Sequence, residues 1–383
     1  MRQIVVRVDD SHYLRQFVRI YNDPMIDFST LCRLRRKVRP ETWERINHLL
    51  SQAAVREELI DGNRLRLDTT LVETNIHWPS DSSLLWDTYR VLARLVTHLR
   101  ELDPALVGRR RLHPRKVKRL QQKIARVGKS AQSVAALKTL YLKLISVVQA
   151  LFAWCDDLSG RLRAMLDNGY YPPALAERIH PLLEQLRHYR GLGQRVVEQG
   201  WRRVIEGQQV PNHEKLFSIF EPHTELIKRG KAGKPVEFGH KIQIEQVAGK
   251  FITGYGVFAT QPAEPQLLQE ALNRHANLFG GYPEMLTADK GYYESRERLA
   301  ALRETIAVVA IGKKGKRSAD EAARKADPLF RHAQAFRAGI EGTMSFLKRV
   351  LGLARCYVKG WQHYVATVGA TVFVHNLLTL ARS

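Results

Sequence analysis

Asp68 stands within Arg64-Leu65-Arg66-Leu67-Asp68-Thr69-Thr70-Leu71-Val72-Glu73. The apolar Leu65, Leu67, Leu71 and Val72 with the β-favouring Thr69 and Thr70 predict a strand. A strand that buries its flanks and keeps a carboxylate midway must pair that acid, hydrogen-bond it or bind it to a metal ion; an Asp bonding nearby backbone amides is the plain alternative. Two more acids sit in comparable settings. Asp289 ends the short strand opened by Pro283-Glu284-Met285-Leu286-Thr287-Ala288, with Lys290 and Gly291 just after it. Glu341 lies on a helix from Phe336 to Val350, with Arg337 four residues before it and Lys348 seven after. On a helix both cations fall within about 40° of Glu341. That grouping is either an ion-pair ladder on a solvated face or a metal-binding Glu whose cations reach for phosphate.

The elements that must position these acids follow in order. Residues 11–60 predict helices: Tyr13, Phe17 and Ile20 recur at helical spacing, and Asp27 or Ser29 can cap a short helix through Leu31, Leu34 and Val38 that stops near Pro40. Arg33, Arg35 and Arg36 crowd this short helix, which can be a solvated face or can lie against phosphates. The turn-rich Asn75-Ile76-His77-Trp78-Pro79-Ser80-Asp81-Ser82-Ser83 ends the Asp68 strand. Three amphipathic helices come next, one through Leu84 to Leu99, one through Val134 to Phe152, and one through Leu183 to Ile205 that Gly191 and Gly193 should loosen. Between the first two, Arg109, Arg110, Arg111, Arg115, Lys116, Lys118 and Arg119 continue to Lys123, Arg126 and Lys129 without an acid. A nucleic-acid contact is the reading preferred for this run over a solvated face, although no zinc-finger, homeodomain or RNP signature is present. From about Lys215 strands take over: Leu216 to Phe220, a polar turn at 228–235, then an antiparallel meander of 236–247 and 251–258. A helix through Leu267 to Leu278, the Asp289 strand, a helix from Glu294 to Leu302 and the apolar strand Thr305 to Ile311 lead to the Glu341 helix and a last apolar helix from Tyr364 to Leu380.

That order resembles an RNase H-like sheet. The expected fold is α/β, a mixed five-stranded sheet with flanking helices. Residues 1–62 form a helical N-terminal region, 63–83 the first part of the sheet domain, 84–212 a basic helical insertion and 213–383 the rest of the sheet domain. The 383 residues carry 61 Lys+Arg against 38 Asp+Glu, a net charge of +23, which implies a polyanionic partner. No apolar run reads as long enough to span a bilayer and the N-terminus lacks the form of a signal peptide, so a cytoplasmic location, associated with the nucleoid, is expected. Cys32, Cys155 and Cys356 are far apart without a CxxC pair and read as small apolar residues rather than a disulfide or zinc framework. Asp81, Asp87, Asp156 and Asp157 read as solvated or capping acids.

Asp68-Thr69-Thr70, Asp289-Lys290-Gly291-Tyr292 and Arg337-x3-Glu341-x6-Lys348 together resemble the DDE transposases of bacterial insertion sequences, in the group with the Y-x2-R-x3-E-x6-K signature. Asp27 to Leu31 and Phe220 to Lys231 resemble the ISNCY set within that group. The likeness covers nearly all of the chain. Gln334 stands where the signature has Tyr, and the 221 residues from Asp68 to Asp289 accommodate the helical block as an insertion. Such proteins often carry residues before the point where this chain starts. The resemblance implies that Asp68, Asp289 and Glu341 hold two Mg²⁺ or Mn²⁺ ions, since an oxygen-only site without His or Cys selects these over zinc. It further implies cleavage at transposon ends, strand transfer into double-stranded target DNA and a homodimer in the DNA complex. Arg337 and Lys348 would orient Glu341 or touch phosphate, with Lys241 a weaker candidate. The alternatives are a DDE-fold nuclease or inactive DNA-binding remnant, and a non-catalytic basic protein that coats nucleic acid.

Overall fold

Strand β1 (Arg64–Thr74) is the axis of the sheet, and the two-residue alternation of its side chains decides which helix each one meets. Leu65 and Leu67 bury against one set of helices, while Arg66, Asp68 and Val72 face another. The computed structural model describes residues 2–127, 131–231, 234–313 and 319–382, and two compact units divide the chain, Met1–Asn75 with Gly239–Ser383, and Ile76–Phe238.

The other strands are β2 (Glu225–Lys231), β3 (Lys234–Val247), β4 (Ile252–Val257), β5 (Met285–Ala288), β6 (Val308–Ile311) and β7 (Arg355–Cys356). They run in the order β2-β3-β1-β5-β6, with β4 also on β3 and β7 also on β1, which makes seven strands where five were expected. The two additions have plain causes. Strand β7 is two residues long and exists through its pairing with Glu73 and Thr74. Strand β2 holds Lys228 to Lys231, whose polarity reads as a turn; of that expected turn, Ala232 and Gly233 lie outside the described residues. Leu216 to Phe220 forms no strand, and its Leu216 and Ile219 pack into a helical core instead. Strand β3 is antiparallel to β1 and β4, whereas β5 is parallel to both β1 and β6, so the sheet is mixed.

The helices are α1 (Arg2–Asp9), α2 (His12–Phe17), α3 (Phe28–Lys37), α4 (Pro40–Arg56), α5 (Asp81–Leu102), α6 (Pro104–Val107), α7 (Pro114–Ala125), α8 (Ala131–Asp167), α9 (Pro173–Gly200), α10 (Glu264–Phe279), α11 (Arg296–Thr305), α12 (Ala319–Ala326), α13 (Pro328–Arg349) and α14 (Trp361–Leu380). Within the sheet unit, Leu267 and Leu272 of α10 and Leu299 and Leu302 of α11 cover one face of the sheet. Ile340, Met344 and Leu347 of α13 with Tyr364 and Val368 of α14 cover the other. Asp27 caps α3 by accepting from the Ser29 amide at 2.8 Å, and Pro40 opens α4 at a position where a missing N–H costs nothing.

The second unit is a helical bundle of α5 to α9. Ser80 and Ser83 close a capping box at the start of α5. Helix α9 runs unbroken through Gly191 and Gly193. A Cβ on Gly193 would overlap Thr88 and Phe152, so this glycine admits close helix packing rather than loosening the helix. A π-helical turn, Trp201–Ile205, ends α9. Residues Ser133–Asp167, within α8, are long and apolar enough by length and composition to cross a membrane, which corrects the expectation that no such run exists. One side of that helix is used up in the bundle, with Leu144, Val148, Phe152, Cys155, Leu158 and Leu162 buried. Asp81 and Asp87 are also buried rather than solvated: Asp81 accepts from Gln199 at 2.7 Å and Arg203 at 2.6 Å, and Asp87 meets His77 at 2.6 Å and Arg90 at 2.7 Å. Asp156 and Asp157 are exposed and paired with Arg190 and Arg161.

Candidate active site

The register of two parallel strands sets the first two acids side by side. Leu67 of β1 is opposite Ala288 of β5, so Asp68, midway along β1, is level with Asp289, the residue after the end of β5; the two strands run about 5 Å apart. Asp68 is 18% exposed and faces α13. Burial pushes its carboxyl up to about 6, against the bond it accepts from the Thr69 amide and the nearby Arg337 guanidinium; Asp289 and Glu264 push it further up. Asp289 is exposed.

The third acid arrives through a cation. Arg337 of α13 places Nη1 3.6 Å from Asp68 Oδ2 and Nη2 3.8 Å from Glu341 Oε1, one turn further along the helix. Glu341 is 70% exposed. Gln334 fixes this arginine: its Nε2 donates to the Ala310 carbonyl of β6 at 2.7 Å and its Oε1 accepts from Arg337 Nε at 3.3 Å. The Gln334 amide thus ties α13 to β6 and aims Arg337 at the two acids.

Helix α13 is held over β1 by a second arginine. Arg66 is 4% exposed; its Nε donates to Gln246 Oε1 at 2.8 Å and its Nη1 to the Phe336 carbonyl at 2.6 Å, while the guanidinium lies 4.5 Å from the Phe336 ring centre. Burial and the neighbouring Arg64 pull Arg66 down to about 10, which still leaves it charged at neutral pH. Gly339 leaves room for this crossing, since a Cβ there would overlap Arg66 Nη1 unless the guanidinium shifted.

On the other face of β1 stands an acid that the sequence reading did not single out. Glu264, first residue of α10, accepts from the Thr69 hydroxyl at 2.8 Å and from Lys241 Nζ at 3.0 Å. Its Oε2 occupies the space a Cβ on Gly291 would need. Lys241 therefore pairs with Glu264 rather than with Asp68, Asp289 or Glu341. Glu264 precedes Pro265, and an acid in the first turn of a helix reads as dipole compensation, so no sequence signal marked it. Lys348 lies two turns beyond Glu341 on α13 and is half-buried. Arg33, Arg35 and Arg36 are exposed on α3, where Arg35 donates to Thr367 at 3.3 Å. In the bundle unit Arg109, Arg111, Arg115, Lys116, Lys118 and Arg119 are exposed, whereas the Arg110 guanidinium lies 4.9 Å from the Trp154 ring centre and donates to the Ala150 carbonyl at 3.3 Å. Lys129 lies outside the described residues.

The donor set fits a hard divalent cation in kind: carboxylate oxygens only, with a desolvated acid beside a second one. Among the described residues no three acids, histidines or cysteines lie close enough together to form a metal group. Arg337 instead bridges Asp68 and Glu341, so the cation neutralising these carboxylates is a guanidinium.

Residues 199–377 match the family model described as the transposase DDE domain. The match takes in β3 to β6, Asp289, Arg337 and Glu341, and Asp68 lies before it. Over that span the chain is similar to the transposase DDE domain, a family that generally uses divalent metal ions. No curated protein and no solved structure matches the chain.

Proposed function

We propose that the chain is an insertion-sequence DDE transposase of the ISNCY-like group, with an RNase H-like sheet and a helical insertion after the first strand. The reading rests on one observation above others: Asp68, midway along β1, is level with Asp289 at the end of the parallel neighbour β5, and Arg337 on the facing helix ties Asp68 to Glu341. Asp68, Asp289 and Glu341 would hold two Mg²⁺ or Mn²⁺ ions, which when bound supply charge neutralisation at the attacking and leaving oxygens of an in-line displacement at phosphorus. The chain's own groups orient this chemistry. Gln334 and the Ala310 carbonyl hold Arg337; once Arg337 gives up Asp68, its fork is free to meet a phosphate oxygen bidentately. Thr69 and Lys241 hold Glu264 by its Oε1. Water would first cut a transposon end, and the freed 3′-hydroxyl would then attack target DNA at the same site, in a homodimer on double-stranded DNA inside the cell.

Asp68→Asn, Asp289→Asn and Glu341→Gln should each lower strand cleavage by at least about a hundredfold, the scale of losing one preorganised charge at a reacting centre, while DNA binding persists. A variant that cleaves at near the wild-type rate removes its residue from the site. Offered precut ends, a transposase joins them to target DNA, and a nuclease only hydrolyses.

A further inference from the structure

Beside Asp289, on the side of β6, the structure holds a cleft of about 390 Å³ lined by Ala288, Asp289, Lys290, Gly312, Lys325, Phe330, Arg331, Gln334 and Arg337. Its floor is formed where β5 and β6 end, Ala288 and Asp289 following one strand and Gly312 the other. In open parallel α/β sheets ligands bind in crevices outside the carboxyl ends of the strands, and β5 and β6 are such a parallel pair within this mixed sheet. Four of its lining side chains are cations and one is an acid. The cations come from three elements: Lys290 from the turn after β5, Lys325 from the end of α12, Arg331 and Arg337 from α13. Phe330 and Ala333 bury against Ala310, so the helix that carries the two arginines is seated on the sheet. Lys290 and Arg331 are exposed, and Lys325 is half-buried with Glu321 3.8 Å away. Arg337 and Lys325 already have carboxylate partners in Asp68, Glu341 and Glu321, so Lys290 and Arg331 are the exposed charges that an anion at this opening would neutralise first.

We infer that this cleft binds a backbone phosphodiester of the DNA strand, held by Lys290, Lys325 and Arg331, and so leads that strand past Asp289 toward Arg337. The inference rests on the proposed function for the identity of the strand, and on the geometry alone for the chemistry of the ligand. Arg331 supplies a planar fork suited to two phosphate oxygens, and the lysines act as point charges on either side.

The test uses the full chain in EDTA, so that no divalent ion contributes. Amine acetylation of the wild-type protein, read by mass spectrometry, should slow on the order of tenfold at Lys290 and Lys325 when a 20-base-pair duplex is added at low salt. The double variant Lys290→Ala/Arg331→Ala should flatten the slope of log affinity against log salt by about one to two, the loss expected for one or two phosphate contacts. Equal acetylation with and without duplex, with an unchanged slope, overturns the inference. Millimolar inorganic phosphate giving the same protection as the duplex also overturns it, since the cleft would then take a free anion. The two readings fail separately: cleavage by the wild type without protection of these lysines sinks the cleft alone, and protection intact with cleavage surviving in all three acid variants sinks the proposed function alone.

Discussion

At the scale of single residues, the most consequential quantity is the proton on Asp68. An ordinary aspartate titrates near about 4, and burial raises this one to about 6. The folded chain therefore holds that proton more tightly than the unfolded chain does. Stability from this group is fully present below about 4 and is lost as pH rises through 6. With divalent ions chelated, Asp68→Asn should stabilise the fold at pH 8, by no more than about 3 kcal/mol from the size of the shift, and the gain should fade toward pH 4. Urea denaturation at the two pH values checks this, and a variant no more stable at pH 8 would mean that Asp68 is well solvated. The same residue shows what sequence can reveal. An acid inside Leu-Arg-Leu-Asp-Thr-Thr-Leu breaks an apolar strand and stands out. Glu264 does not, because its role depends on where Thr69, Lys241 and Gly291 come to lie, and those are separated from it along the chain.

At the scale of elements, the site depends on how α13 crosses β1. The carboxylate of Glu341 and the guanidinium of Arg337 are useful only if this helix keeps its height and rotation, and Arg66 sets both by gripping the Phe336 carbonyl from beneath. Arg66→Met keeps the apolar stem and removes the grip, taking one charged donor from the Phe336 carbonyl and one from Gln246 Oε1, which the Thr343 hydroxyl also meets at 3.2 Å. It should cost about 3 kcal/mol, in the range for hydrogen bonds to a charged group, and lower cleavage as well. Gly339→Ala should also destabilise, because the new methyl meets Arg66 Nη1, and its cost should shrink in the Arg66→Met background. Denaturation of the single and double variants measures this coupling, and strict additivity would show that the two residues do not press on each other. Periodicity made β1, β3 to β6 and the main helices legible. It could not show β7, whose two residues exist as a strand through Glu73 and Thr74, nor that Gly193 is a packing residue, since Thr88 and Phe152 meet it from other helices.

At the scale of the whole molecule, the surplus of positive charge has to be distributed between uses. The cleft beside Asp289 accounts for a few of the 61 Lys and Arg. Helix α7 displays more: Arg115, Lys116, Lys118 and Arg119 are exposed, while Val117 and Ile124 sit in the core of the helical unit. An amphipathic helix anchored by two aliphatic side chains can exchange its charges without disturbing its packing, so reversing them isolates electrostatics from folding. Arg115→Glu/Lys118→Glu/Arg119→Glu should leave the melting temperature almost unchanged, as surface substitutions move stability by about 0.5 kcal/mol or less. Affinity for a duplex near 100 mM salt should fall on the order of tenfold or more, and the salt slope should flatten by about two to three if these side chains each meet a phosphate. Arg110, stacked on Trp154, should contribute less than its neighbours. An unchanged slope would make α7 a solvated face, and the excess charge would then have to act through α3 and the cleft beside Asp289.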